Sequence, residues 1–250
     1  MVQSVERAIN LLKILTNINK ECSLSELSEL SDLAPSTVHR LLLTLKKANF
    51  VSQDETSSHY YLGSALISMG IVASSYLDIR KKAYPILNDL ALSTGEDAYM
   101  YMSDGNYGVM VQNVPGPHPL KIIGSALAHA PLHCGASRKV LLAYKDKAFI
   151  NNYLSKSLVK CADNTVTDPN ILAEQLQTIR DNGYALSISE HLKDATGMGA
   201  PVFDSSGEVI ASIGVMGPSI RITEDKYPSI IYLVKKHARE LSISLGCKNY

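Results

Sequence analysis

Residues 22–48 read CSLSELSELSDLAPSTVHRLLLTLKKA, and the spacing of the leucines in this stretch decides the fold of the N-terminal part of the chain. Leu24, Leu27, Leu30 and Leu33 recur at the interval of a helix with one buried face. Ser23 and Glu26 make a capping box at its start, each side chain satisfying a backbone N–H of the first turn. Asp32 falls at the turn, where a left-handed backbone is expected although glycine would adopt it more easily. Pro35 suits the first position of a second helix because it has no N–H to lose. In that helix Val38, Leu41, Leu42 and Leu45 form a core stripe. Ser36, Arg40, Leu43 and Lys47 lie opposite, flanked by His39, Thr44 and Lys46, and Asn49 is a left-handed cap. A core stripe backed by Ser, Thr, His and Arg near the helix start suits a helix laid in the DNA major groove. The same pattern also fits the solvated face of a helical hairpin, and spacing alone leaves both open.

Upstream, residues 2–17 read as a helix with Val5, Ala8, Ile9, Leu12 and Leu15 as its core stripe. Leu11, Ile14 and Ile18 form a second apolar strip, either a dimer contact or the mark of a helix buried on two sides. Downstream, 50–52 and 59–62 read as two short strands around the polar segment 53–58, which makes a wing. Residues 1–63 are thus expected to be a complete winged helix-turn-helix domain, and 64–82 a linker helix. From residue 83 a helix continues to about 93 and stops at Gly95; then the period changes to alternation. Strands are expected over 97–102, 108–114 and 120–125, then a loop over 128–135 and a helix over 136–144. A helix capped by Asp168 runs to Asn182, strands follow over 184–189, 200–203 and 208–215, and a last helix covers 228–245. The expected class is α+β: a winged helix-turn-helix, a linker helix, and an 83–250 domain of sensor-type layout built on an antiparallel sheet.

Composition fits a folded globular chain, with 46% hydrophobic and 19% charged residues. Twenty-four basic and 24 acidic residues cancel, so total charge gives no argument for a nucleic-acid partner. Residues 1–63 hold six Lys/Arg (Arg7, Lys13, Lys20, Arg40, Lys46, Lys47) against seven Asp/Glu (Glu6, Glu21, Glu26, Glu29, Asp32, Asp54, Glu55). Between Ala34 and Gln53, however, three bases and His39 occur with no acid. That stripe can meet phosphates, with modest affinity per chain, so that pairing of two chains is needed. Cys22, Cys134, Cys161 and Cys247 show no CxxC pairing, which suits a reducing cytoplasm better than a disulfide scaffold. Charges at Glu6, Arg7 and Lys13 interrupt any signal-peptide pattern. The longest apolar stretch, 63–77, is too short to span a bilayer.

Several segments, in order, resemble the IclR family of bacterial transcriptional regulators. At the N-terminal end they are Val5-Glu6-Arg7-Ala8-Ile9, Ser36-Thr37-Val38-His39-Arg40-Leu41-Leu42 and Tyr61-Leu62-Gly63. At the C-terminal end they are Pro131-Leu132-His133, Lys139 to Ala143, Gly183-Tyr184-Ala185, Ala200-Pro201-Val202-Phe203-Asp204 and Gly217-Pro218. The resemblance implies a dimer, often assembled into a tetramer, on a palindromic operator, and a GAF/PAS-like effector domain that takes a small organic acid. It implies a regulator, read as a repressor rather than an activator, and neither an enzyme nor a cofactor carrier. The chain departs from the family at Asp32, Pro35 and Tyr61, where Gly, Lys and Arg are common. Two bases fewer puts more of the operator reading on the second helix.

The expected DNA-binding residues are Ser36, Thr37, His39 and Arg40 at base edges, and Thr44, Lys46 and Lys47 at phosphates. For the effector, the resemblance points to the N–H groups of Ala136 and Ser137 at a helix start, which attract anions. Arg138, where the family has a small residue, is read as pointing to solvent, with a contact to the acid as the alternative. The Asp, Cys and two Ser that hold short keto acids in relatives fall here on Ser187, Gly197, Gly214 and Met216. Two glycines and a flexible apolar Met leave a site better suited to a larger, more apolar acid. The full expected set is Ala136, Ser137, Arg138, Ser187, Ala195, Gly197, Gly214 and Met216. No resident metal is expected. The alternative readings are a redox or metal sensor using Cys134 and His133, or, behind it, a small Cys–His enzyme.

If Arg40 reads a guanine edge, Arg40→Ala weakens operator binding by about 1–3 kcal/mol. Gel-shift titrations would then show a much smaller loss on unrelated DNA; an equal loss on both would make Arg40 a backbone contact.

Overall fold

The computed structural model describes residues 2–18, 20–75, 78–122 and 127–248. Contacts group the chain into two compact units, 1–77 and 78–250.

In the first unit α1 (Gln3–Ile18), α2 (Leu24–Ser31) and α3 (Pro35–Lys47) precede a two-stranded antiparallel ribbon, β1 (Val51–Gln53) and β2 (Tyr60–Leu62), and α4 (Ala65–Ser75). The local signals act as read. Ser23 and Glu26 close the capping box, Asp32 takes φ 54° and ψ 38° at the end of α2, and Pro35 opens α3. Asn49 also adopts a left-handed backbone, at φ 58°. Leu11, Leu15, Leu27, Val38, Leu42, Val51 and Tyr60 form the core, and Cys22 joins the ribbon through a bridge to Tyr60.

Two expected stripes need correction. In α1 the buried residues are Leu11 and Leu15, whereas Val5 and Ile9 are 53% and 48% exposed. Leu15 of the expected stripe stays in the core and is joined there by Leu11 of the second strip, while Leu12, Ile14 and Ile18 pack partly buried against them. Helical spacing identifies both strips equally; the core takes one fully buried residue from each. In α2 Leu27 is buried and Leu30 is exposed, because successive steps of three residues drift by about 60° around a helix of 3.6 residues per turn and carry Leu30 off the buried face.

The second unit is a six-stranded antiparallel sheet with helices on both faces. Its strands are β3 (Asp97–Asp104), β4 (Tyr107–Val114), β5 (His129–Pro131), β6 (Ala185–Ile188), β7 (Ala195–Phe203) and β8 (Val209–Pro218). They lie in the order β5-β4-β3-β8-β7-β6. On one face α5 (Asp78–Thr94) and α9 (Tyr227–Ser244) pack Leu87, Leu90, Val234 and Leu241 against Met100, Met198 and Ile213. On the other, α6 (Ala136–Ala143), α7 (Lys147–Leu154) and α8 (Pro169–Asn182) pack Val140, Leu142, Leu172 and Leu176 against Tyr99 and Tyr101. Alternation along β3 therefore separates two cores: Ala98 and Met100 face one, Tyr99 and Tyr101 the other.

The segment expected to be a loop over 128–135 contains β5, and α7 adds a helix that the periodicity did not announce. Of the strand expected over 120–125, residues 120–122 are not in a strand and 123–125 lie outside the described residues. Residues 76 and 77 of the expected linker helix lie outside them too. Among the described residues no helix is long and apolar enough to cross a membrane.

The burial pattern of the first unit makes a sharp contrast. Leu42→Ala, at a fully buried site, should destabilise that unit by about 2–5 kcal/mol. Val5→Ser and Ile9→Ser should each change it by no more than about 0.5 kcal/mol. Urea unfolding followed by circular dichroism measures both.

Candidate functional site

Two places carry the expected chemistry, one in each unit. The first is the outer face of α3. Ser36, His39, Arg40, Thr44, Lys46 and Lys47 are exposed and Thr37 is half-buried. Leu43, also exposed, stands between Arg40 and Lys47 and offers the apolar surface that suits a thymine methyl. No acid occurs in α3. Two of the expected phosphate contacts also have structural work. The Thr44 hydroxyl donates to the Arg40 carbonyl, 3.1 Å, and Lys46 Nζ donates to Gln53 Oε1 in the wing, 2.9 Å. The Gln53 amide in turn donates to the Ser58 carbonyl, 3.1 Å, so α3 and the ribbon are held together.

The second place is a cavity of about 40 Å³ at the start of α6. Of the eight residues expected to meet an effector, Ala136, Ser137, Arg138, Ser187, Ala195, Gly197 and Met216 line it. Tyr99, Tyr101, Leu127, Gly135, His191, Leu192 and Val215 complete the wall. The alternation of β3 points to the two tyrosines once the sheet is known; no local signal marks His191 or Leu192. Gly135 precedes the helix at φ 90°, a conformation open to glycine, and no side chain caps α6. The first bond of the helix ladder runs from the Lys139 N–H to the Gly135 carbonyl, 3.0 Å, so the N–H groups of Ala136 and Ser137 precede it.

Gly214 lies beneath α6 and not in the cavity wall. A Cβ there would come within 2.7 Å of Ser137 Oγ, and one at Gly199 within 2.8 Å of Ser137 Cα. These two glycines let the helix rest directly on β7 and β8, and Ser212 Oγ fixes it by donating to the Ser137 carbonyl, 2.8 Å.

Arg138 does not point to solvent, as the sequence reading had it. It is 3% exposed, and its guanidinium donates to the carbonyls of Leu127 (2.6 Å), Cys134 (3.2 Å) and Gly108 (3.4 Å). Its Cζ lies 4.6 Å from the centre of the Tyr101 ring. Burial pushes its pKa down, with the neighbouring Tyr101 opposing. A charged group that local sequence would have left outside is drawn in because strand β4, the segment at Leu127 and the turn before α6 all present carbonyls to it. Next along the helix, Lys139, 2% exposed, pairs with Glu190 at 2.6 Å and donates to Gln175 Oε1 at 3.1 Å.

The cysteines also differ from expectation. Cys134 and Cys161 are joined by a disulfide across 27 residues of sequence. Cys22 and Cys247 are free and buried. His133, proposed as a partner for Cys134, turns away from it. Its Nδ1 and Nε2 meet the Tyr153 hydroxyl at 2.8 Å and the Val159 carbonyl at 2.9 Å. Since a carbonyl only accepts, Nε2 carries the proton and Nδ1 accepts from the phenol. Burial holds the imidazole pKa low, the bond to Val159 opposing, and the Tyr153 phenol is pushed up to about 12 by burial. His129 stacks on Tyr107 with ring centres 4.5 Å apart. The histidine that does approach the cysteines is His191, and the ligand atoms of Cys134, Cys161 and His191 all lie within 4.8 Å of one another.

Comparison with known proteins covers both units. Residues 72–243 match the family described as bacterial transcriptional regulator IclR C-terminal, and residues 4–55 match the IclR helix-turn-helix domain. The HTH-type transcriptional regulator KipR of Bacillus subtilis is 29% identical over 245 residues, covering 98% of this chain and 97% of that one. The HTH-type transcriptional repressor AllR of Escherichia coli is 29% identical over 247 residues, covering 98% and 91%. The crystal structure of an IclR transcriptional regulator from Alicyclobacillus acidocaldarius superposes with a TM-score of 0.81 at 26% identity, covering 97% and 98%.

Arg138→Met should destabilise the second unit by roughly 2–4 kcal/mol, since each buried acceptor left unpaired costs about 1–3 kcal/mol. Gly197→Ala should change stability by less than about 1 kcal/mol, because its methyl meets Val215 O at 3.4 Å, an ordinary contact. Thermal unfolding of the two variants separates a structural arginine from a permissive cavity wall.

Proposed function

We propose the function from one premise: this chain belongs to the IclR family of bacterial transcriptional regulators. It binds operator DNA through α3 and represses transcription, and an organic acid in the cavity of the second unit controls its hold on the operator. Ser36, Thr37, His39 and Arg40 meet base edges, while Thr44, Lys46 and Lys47 meet the backbone. The observation that carries the effector reading is the cavity itself. The uncapped start of α6 and the Arg138 guanidinium stand in the same wall as Tyr99, Tyr101, Leu192, Val215 and Met216. The electropositive part suits a carboxylate, and the apolar part suits an aromatic or alkyl tail.

At about 40 Å³ the cavity has room for roughly two or three waters. An acid with a tail therefore enters by displacing half-buried Leu192 and Met216, the latter unbranched and adaptable. Such an opening makes the two states differ in effector affinity, which coupling to DNA requires. The modest charge of residues 1–63 favours action in pairs, as a homodimer or dimer of dimers on a palindromic operator in the cytoplasm. The enzyme reading has no support in the geometry. Cys134 is bonded to Cys161, and His133 spends both ring nitrogens on Tyr153 and Val159.

Thermal-shift screening tests the ligand class. At a hundredfold excess over Kd a benzoate-type or branched alkyl acid should stabilise the second unit by about 2.7 kcal/mol, or roughly 5–10 °C, and change operator affinity in a gel shift. Tight binding of pyruvate or glyoxylate with none of aromatic acids would overturn the proposed class. Failure to retain any operator fragment, with or without acids, would overturn the DNA-binding role itself.

A further inference from the structure

We propose that Cys134, Cys161 and His191 form a binding site for a soft divalent cation of the zinc class, closed while the two sulfurs are bonded to each other and opened by reduction. The three residues come from separate segments: the turn before α6, the loop between α7 and α8, and the loop between β6 and β7. Their ligand atoms lie within 4.8 Å of one another. Tetrahedral zinc with sulfur at about 2.3 Å and nitrogen at about 2.0 Å sets its ligand atoms about 3.5–3.8 Å apart. Small side-chain rotations reach that spacing once the sulfur–sulfur bond is cleaved. Two thiolates and one imidazole are a soft set that selects zinc over magnesium or calcium, and a fourth position is left for water.

The surroundings hold the set in place without the disulfide. The Thr165 hydroxyl accepts from the N–H groups of Cys161 (3.0 Å) and Ala162 (2.7 Å) and donates to the Glu190 carbonyl, 2.6 Å. The loop that carries Cys161 is thereby fastened to the residue before His191. His133, through the Val159 carbonyl, fastens the same loop to the residue before Cys134. Lys139 pairs with Glu190 and ties α6 to the His191 loop. All three ligands thus keep their neighbours when the covalent link is gone, the support a metal site needs from its outer contacts.

The chemistry balances simply. A dithiol reductant gives two electrons and two protons to the disulfide, leaving two thiols, and is itself converted to a disulfide. The cation then takes the place of both thiol protons, which pass to solvent. Where a DNA-bound regulator works, thiol pools keep most cysteines reduced, and cysteine groups there are more often metal-binding or redox-active than structural. The inference is independent of which acid the cavity takes.

The test is an anaerobic titration of the full-length, pre-reduced protein with Co²⁺, a spectroscopic stand-in for zinc. The expected result is one equivalent bound with tetrahedral ligand-field bands and thiolate-to-cobalt charge transfer, both erased by Zn²⁺. Oxidised protein should show neither. Cys161→Ser should abolish the charge-transfer band, and His191→Ala should weaken binding by at least about tenfold, the loss that even outer contacts cause. No thiolate–cobalt band in the reduced protein, an unchanged titration in His191→Ala, or equal binding by the oxidised form would each overturn the proposal. Alkylation of the reduced wild type, read by mass spectrometry, needs no variant to fold: Zn²⁺ should shield the Cys161 thiol, and equal labelling with and without zinc would likewise refute the site.

Discussion

Helix α6 lies so close to the sheet that Gly199 and Gly214 have no room for side chains, and most of the second unit follows from that contact. With Ser137 pressed between β7 and β8, the start of the helix is fixed in the interior, and no side chain caps its first N–H groups. The wall opposite is furnished by Tyr99 and Tyr101, because β3 pairs with β8 and its alternation aims both rings at α6. A helix set further out would leave a solvent cleft, and one set over larger residues would not reach the tyrosines. The cavity is the space left when a helix end meets a sheet at this distance.

The same placement explains two buried cations. Arg138 and Lys139 occupy the first turns of α6 and so are carried inward with it. Isolated, either charge would be expensive in such a setting. Arg138 is met by three carbonyls and an aromatic face, and Lys139 by Glu190 and Gln175. These contacts join the turn before α6, strand β4, helix α8 and the His191 loop. Anything that moves the helix start therefore moves several segments together, which is the mechanical property a sensing domain requires.

The first unit reaches its function by a different economy. Its surface has few bases, and those of α3 stand without a competing acid in the helix. One of them, Lys46, also fixes the wing through Gln53. On the proposed function, recognition rests on a short helix whose orientation is held by its own flanking residues, and on pairing of chains to raise affinity. Exposed Val5 and Ile9 on α1 extend apolar surface beside Thr37, Arg40 and Thr44, along a groove of about 710 Å³.

The chain by itself determined what depends on neighbours in sequence. The capping box at Ser23, the left-handed Asp32, Pro35 at the head of α3, the Asp168 cap and the alternation of β3 act over a few residues, and each appears where local chemistry requires it. Seven of the eight residues expected at the effector site meet in one cavity, because family motifs mark the same strand and helix positions. Only the tertiary structure decided that Leu11 and Leu15, one from each apolar strip of α1, are buried while Val5 and Ile9 are exposed, since helical periodicity treats both strips alike. It also drew Arg138 inward, placed Gly214 beneath a helix, and replaced His133 by His191 beside a cysteine pair 27 residues apart. Each of these outcomes depends on which distant segment supplies the carbonyl, the contact or the sulfur, and no periodicity or cap within the chain carries that information.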